Sequence, residues 1–93
     1  MSELLTDNEI KENLQELSNW NLEGKTIKSL RTFSDFVAAI EFVNKLVEPA
    51  ESAGHHPDLE VSYNKVSISL TSHDAGGLTQ KDFTMAKVID NLG

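Results

Sequence analysis

All three histidines of the chain, His55, His56 and His73, fall within the stretch from Glu51 to Gly77, ESAGHHPDLEVSYNKVSISLTSHDAGG. Two are adjacent, and the third follows an alternating apolar run. Imidazole gives and takes a proton near neutral pH. Two or three imidazoles together can protonate a leaving group while deprotonating a neighbouring atom. The same residues have other uses. His55 could stabilise the C-terminus of a preceding helix through its dipole, and His73 could simply end a strand. Three histidines with Glu51 or Asp74 could also bind zinc, although no HxxxH or HExxH spacing is present and adjacent histidines chelate one metal awkwardly. The chain has no cysteine and no serine nucleophile beside an evident base, which argues against covalent catalysis. No glycine-rich loop follows a buried strand, which argues against nucleotide chemistry.

The flanking pattern supplies the elements that must hold these residues. LTDNEIKENLQEL reads as a first helix, with Thr6 as cap, Glu9 completing a capping box, and Ile10, Leu14 and Leu17 at helical spacing. SNWNLEGKTIKSLRTF reads as two short strands around Glu23-Gly24, the second with poor alternation. A long helix follows, capped by Ser34 or Asp35, with Phe36, Ile40, Val43, Val47 and Ala50 as its inward stripe. Phe42 and Leu46, beside Val43, are left as spare apolar positions for core or an oligomer face. Pro49 is expected to kink or end this helix, Gly54 to stop it and Pro57 to block continuation.

A hairpin then turns at Asn64-Lys65. Val61 and Tyr63 alternate before it, and Val66, Ile68 and Leu70 after it, so the sheet is apolar on one face. About this turn His56 and His73 are expected side by side, with His55 next to them. DAGG reads as a flexible loop, and Thr79 caps a last helix from Gln80 to about Asn91, with Phe83, Ala86 and Ile89 or Leu92 inward. The expectation is an α+β fold of order α-β-β-α-β-β-α: a four-stranded antiparallel sheet with helices packed on one face.

With 93 residues, the chain is expected to be a single domain spanning 1–93. A core this small, together with an exposed sheet edge, suggests a homodimer or homotetramer. The net charge of −7, with scattered Lys and Arg, disfavours nucleic acid. No apolar run approaches the roughly 18 residues of a membrane span. MSELLTDNEI lacks the features of a signal peptide, so a cytoplasmic location is expected.

Glu51-x-x-x-His55-His56-Pro57, Tyr63-Asn64-Lys65-Val66, Leu70-Thr71-Ser72-His73-Asp74 and Gly77-Leu78, with Asp82 beyond, resemble the pterin-4a-carbinolamine dehydratase family. The resemblance runs from Trp20 to the last helix and is strongest between Glu51 and Asp82. It implies a hydro-lyase that removes water from 4a-hydroxytetrahydropterin, giving quinonoid dihydropterin for recycling to tetrahydrobiopterin, with no metal or organic cofactor. Carried over position by position, it makes His55, His56 and His73 the acid–base set: His55 and His73 act toward the leaving hydroxyl and His56 acts as base at ring nitrogen N5. Glu51 would orient an imidazole, and Gly54, Thr71, Ser72 and Asp74 would line the pterin. Trp20 would pack at the site mouth or serve as a plain core aromatic.

Two residues depart from the family's pattern. Lys81 stands where relatives often carry arginine, which removes a bidentate donor, and Pro49 sits in the turn before Glu51. Some relatives bind a transcription factor as dimerisation partners, so a protein-binding module of the same fold is the competing reading.

Overall fold

The computed structural model describes residues 3–92. Its elements are α1 (Asp7–Gln15), β1 (Asn21–Glu23), β2 (Thr26–Thr32), α2 (Phe36–Ala53), β3 (Asp58–Ser62), β4 (Lys65–Leu70) and α3 (Gln80–Asp90). The four strands form one antiparallel sheet in the order β1-β2-β4-β3. This is the expected α+β arrangement.

Local chemistry explains most boundaries. Thr6 and Glu9 form a reciprocal capping box, with the Glu9 amide 3.2 Å from the threonine hydroxyl and the Thr6 amide 2.8 Å from the glutamate. Asp35, rather than Ser34, caps α2 by accepting from the Ala38 amide at 2.8 Å. Gly54 ends α2 in the left-handed region at φ 60°, a conformation that costs glycine little. Val66, Ile68 and Leu70 are buried on β4 and meet Phe83, Ala86 and Ile89 of α3 in one core cluster. Each large side chain so buried contributes about 1.5–3 kcal/mol before chain entropy is counted.

Three features differ from the sequence expectation. The inward stripe of α2 is Ala39, Phe42, Leu46 and Ala50, while Phe36 and Val47 are exposed and Val43 is only half-buried. Ala50 belongs to both candidate stripes, and the sheet selects the one that brings Phe42 against Phe33, their rings 5.1 Å apart. The supposedly spare Phe42 and Leu46 are therefore core. Pro49 does not end α2, which runs one further turn to Ala53. Proline deprives the Lys45 carbonyl of its helical donor, but the burial of Ala50 and the glycine cap hold the last turn in place.

The hairpin turns at Tyr63-Asn64, not Asn64-Lys65: Ser62 pairs with Lys65, and Tyr63 takes φ 51°. Continuing that register from Asp58–Ser69 sets His56 level with Thr71 rather than with His73. The Asn64 side chain donates to the Phe33 carbonyl at 2.9 Å and fixes the turn against the end of β2.

Candidate active site

The last turn of α2 and the loop after its glycine cap carry Glu51, His55 and His56. The segment after β4 carries Thr71 to Asp74. It is no slack loop: Ser72 and Gly77 pair as an isolated bridge, and the amides of Ala75, Gly76 and Gly77 all donate to the Ser72 carbonyl within 3.2 Å. Gly76, at φ 80°, makes this tight return possible. The N-terminal segment ties down its far side, the Leu5 amide donating to the Leu78 carbonyl at 3.0 Å.

Each histidine faces a carboxylate from a different part of the chain. His55 Nε2 lies 2.6 Å from Asp82 Oδ1, with the histidine side chain 12% exposed and the aspartate fully buried. His56 Nε2 lies 2.5 Å from Glu51 Oε2, both groups open to solvent. His73 and Asp58, also exposed, approach only to 3.8 Å, too far for a hydrogen bond. Among the described residues no three His, Asp or Glu side chains converge closely enough to hold a metal ion.

Asp82 is the residue that reasoning from the sequence underused. It appears there only as the end of a motif, yet it joins both histidine-bearing segments. Its Oδ1 faces His55. Its Oδ2 accepts from the Ser72 hydroxyl at 2.9 Å and from the Thr79 amide at 2.9 Å. The Ser72 proton is thus spent on Asp82, so Thr79 donates its own hydroxyl to Ser72 Oγ at 2.8 Å. The available signal was Thr79-Gln80-Lys81-Asp82 at the start of a helix, an acidic N3 residue at capping-box spacing.

The other expected site residues separate into groups. Thr71 spends its hydroxyl on the Lys25 carbonyl at 2.7 Å. Asp74 and Gly54 are exposed. His55, with Pro49, Ala53, Lys81 and Met85, lines a hollow of about 510 Å³ between α2 and α3. His56 and Glu51 line a separate one of about 210 Å³ with Pro57 and Leu59. Trp20 stands apart: it is buried, donates Nε1–H to Asp90 at 3.0 Å, and packs near Arg31, whose guanidinium also binds Asp90. Asp90 is eight residues beyond Asp82 on α3, about 12 Å along the axis.

Fold and site together define a small α+β protein with carboxylate-paired histidines at one end of its sheet. The profile of the family "Pterin 4 alpha carbinolamine dehydratase" matches residues 3–92, and the chain belongs to that family. It is 61% identical over 92 residues to proteins of Cyanothece sp. (strain PCC 7425) and Nostoc sp. (strain PCC 7120), both named provisionally as pterin-4-alpha-carbinolamine dehydratases. Those matches cover 99% of this chain and 95% and 99% of the relatives. A crystal structure from Brucella melitensis, described as a transcriptional coactivator/pterin dehydratase, superposes with a TM-score of 0.90 at 32% identity, covering 95% of this chain and 96% of that one. A pterin dehydratase-like RuBisCO assembly factor of the alpha-carboxysome shares the fold alone, with a TM-score of 0.69 at 22% identity over 82% of this chain and 90% of its own.

Proposed function

We propose that this protein dehydrates 4a-hydroxytetrahydropterin to quinonoid dihydropterin, returning the pterin to a tetrahydropterin recycling route. The observation that carries the reading is the pairing of consecutive His55 and His56 with separate carboxylates, beside a loop that presents His73. The reaction breaks the C4a–O bond and forms a double bond between C4a and N5. The hydroxyl accepts a proton from one imidazole and leaves as water, while N5 gives its proton to another. Each such transfer is worth about 10²–10⁴ in rate. Protons exchanged with water restore both imidazoles, so this chemistry calls on no metal or organic cofactor. Backbone groups of the Thr71–Asp74 segment and the Gly54 cap serve as pterin contacts, since the Thr71 and Ser72 hydroxyls already have partners within the protein.

The test is the decay of chemically generated 4a-hydroxytetrahydropterin, followed by its ultraviolet absorbance, with wild type and His73→Ala. The wild type is expected to speed the loss of water well above buffer, and the folded variant to lose most of that gain. A wild type no faster than buffer would sink the assignment.

A second reading is favoured by one feature. Phe36, Val37 and Val47 leave an apolar strip exposed on α2, which suits a homodimer or homotetramer. If the protein is a binding module rather than an enzyme, the same strip takes a partner protein. Light scattering on the eluting protein separates the two: a stable oligomer leaves the strip occupied by this chain's own copies, and a monomer leaves it free for a partner.

A further inference from the structure

We propose that Asp82 is a positioning residue that makes Nδ1 of His55 the nitrogen that exchanges a proton with the substrate, an inference resting on the dehydratase reading above. Two donors converge on Oδ2. The Thr79 amide can only donate, and it points at Oδ2 from 2.9 Å; the Ser72 hydroxyl donates to the same oxygen. As an acceptor-only carboxylate, Asp82 then presents Oδ1 to His55 as a further acceptor, and Nε2 must carry the proton across that 2.6 Å contact. In neutral imidazole the other nitrogen, Nδ1, is then the base.

No described residue competes for that atom. Nδ1 has no hydrogen-bond partner among the described residues, and none of their buried side-chain nitrogens is left unpartnered, so Nδ1 opens to solvent. Asp82 is fully buried, and its three donors come from three separate segments: the loop after α2, the loop after β4, and the residue capping α3. The carboxylate therefore sets the orientation of His55 and, through Ser72, the seat of neighbouring His73.

Asp82→Asn makes this testable because an amide has one acceptor and one donor end. The fixed Thr79 N–H draws the amide oxygen to the Oδ2 position. The amide nitrogen then faces His55 Nε2, which must become an acceptor, and the imidazole proton moves to Nδ1. Long-range ¹H–¹⁵N correlation spectra of ¹⁵N-labelled protein, recorded over a pH series, read the tautomer directly. The wild type is expected to show the proton of His55 on Nε2, and Asp82→Asn to show it on Nδ1. In the carbinolamine assay the variant is expected to lose about 10²-fold in kcat with KM little changed. A wild type with the proton on Nδ1 overturns the proposal, as does a variant that keeps both tautomer and rate. If Asp82→Asn does not fold, the wild-type spectrum decides alone. A wild type inert toward the carbinolamine fails the proposed function instead, and the spectrum still decides whether Asp82 positions His55.

Discussion

The two ends of α3 each carry an aspartate that ties the helix to its surroundings, and they do so with different partners. At the N-terminal end Asp82 is fully buried and holds a histidine, a serine and a backbone amide. At the C-terminal end Asp90 is 25% exposed and holds the Arg31 guanidinium and the Trp20 indole. Arginine stays charged at every working pH and offers a fixed fork of donors, so the Asp90 cluster has one state and can only hold the helix in place. Imidazole has two neutral tautomers and a charged form, so the same carboxylate placed against a histidine also selects a chemical state. Lys87, bonded to Glu16 at 2.7 Å, adds a second ion pair at the C-terminal end and ties α3 to the C-cap of α1.

The largest effect expected from this contrast is on stability. Arg31→Met keeps the aliphatic stem but leaves the Asp90 charge half-sheltered with only the indole as partner, and it also strips a donor from buried Ser29. Removing one partner of a charged hydrogen-bonded pair in such a setting costs about 2–3 kcal/mol, measurable as a lower urea midpoint. The folded variant is expected to dehydrate the carbinolamine at the wild-type rate. If it unfolds no more easily but turns over more slowly, the division between a holding end and a chemical end is wrong.

How much of this was legible in the sequence follows the same line. The Thr6–Glu9 capping box, the alternation of β4 and the order of elements depend on neighbouring residues, and they read correctly. The histidine positions were also plain. The partners were not. Asp82 stood out only as the end of a motif, because the contact that matters comes from His55, 27 residues away. Arg31 and Ser29 spoil the alternation of β2 because they face inward, Arg31 to bind Asp90 and Ser29 to accept from Arg31, while Leu30 is left 59% exposed on the opposite face. The α2 stripe was misjudged because that helix has apolar residues on two faces, and only packing against the sheet selects between them. Of the two outcomes that Pro49 offers, ending the helix is excluded for a related reason: its local penalty is outweighed by the burial of Ala50 and the Gly54 cap.

Ser72→Ala sharpens the contrast from the N-terminal end. It deletes one of three donors to Asp82 and leaves the Thr79 hydroxyl without its acceptor. The cost expected is about 1–2 kcal/mol, since the carboxylate keeps His55 and the Thr79 amide. The difference from Arg31→Met lies in catalysis: here kcat is expected to fall as well, because the seat of the adjacent His73 loosens with the lost bond. Stability and kcat measured on the same preparation decide it. A loss of stability alone would reduce this network to the same holding role as the Asp90 cluster.

The smallest effect bears on Trp20, which the family resemblance would put at the site mouth and the fold buries beside Asp90. Trp20→Phe keeps an aromatic ring in the core and removes only the Nε1–H donor. Asp90 retains Arg31, so no charge is stranded, and the expected loss is about 1 kcal/mol, the usual net worth of one hydrogen bond. The informative readout is KM for the carbinolamine beside the unfolding midpoint. A midpoint shift with KM unmoved assigns Trp20 to the holding end of α3. A rise in KM without loss of stability would carry the site across the sheet to Trp20, and the two ends of the helix would then share one function.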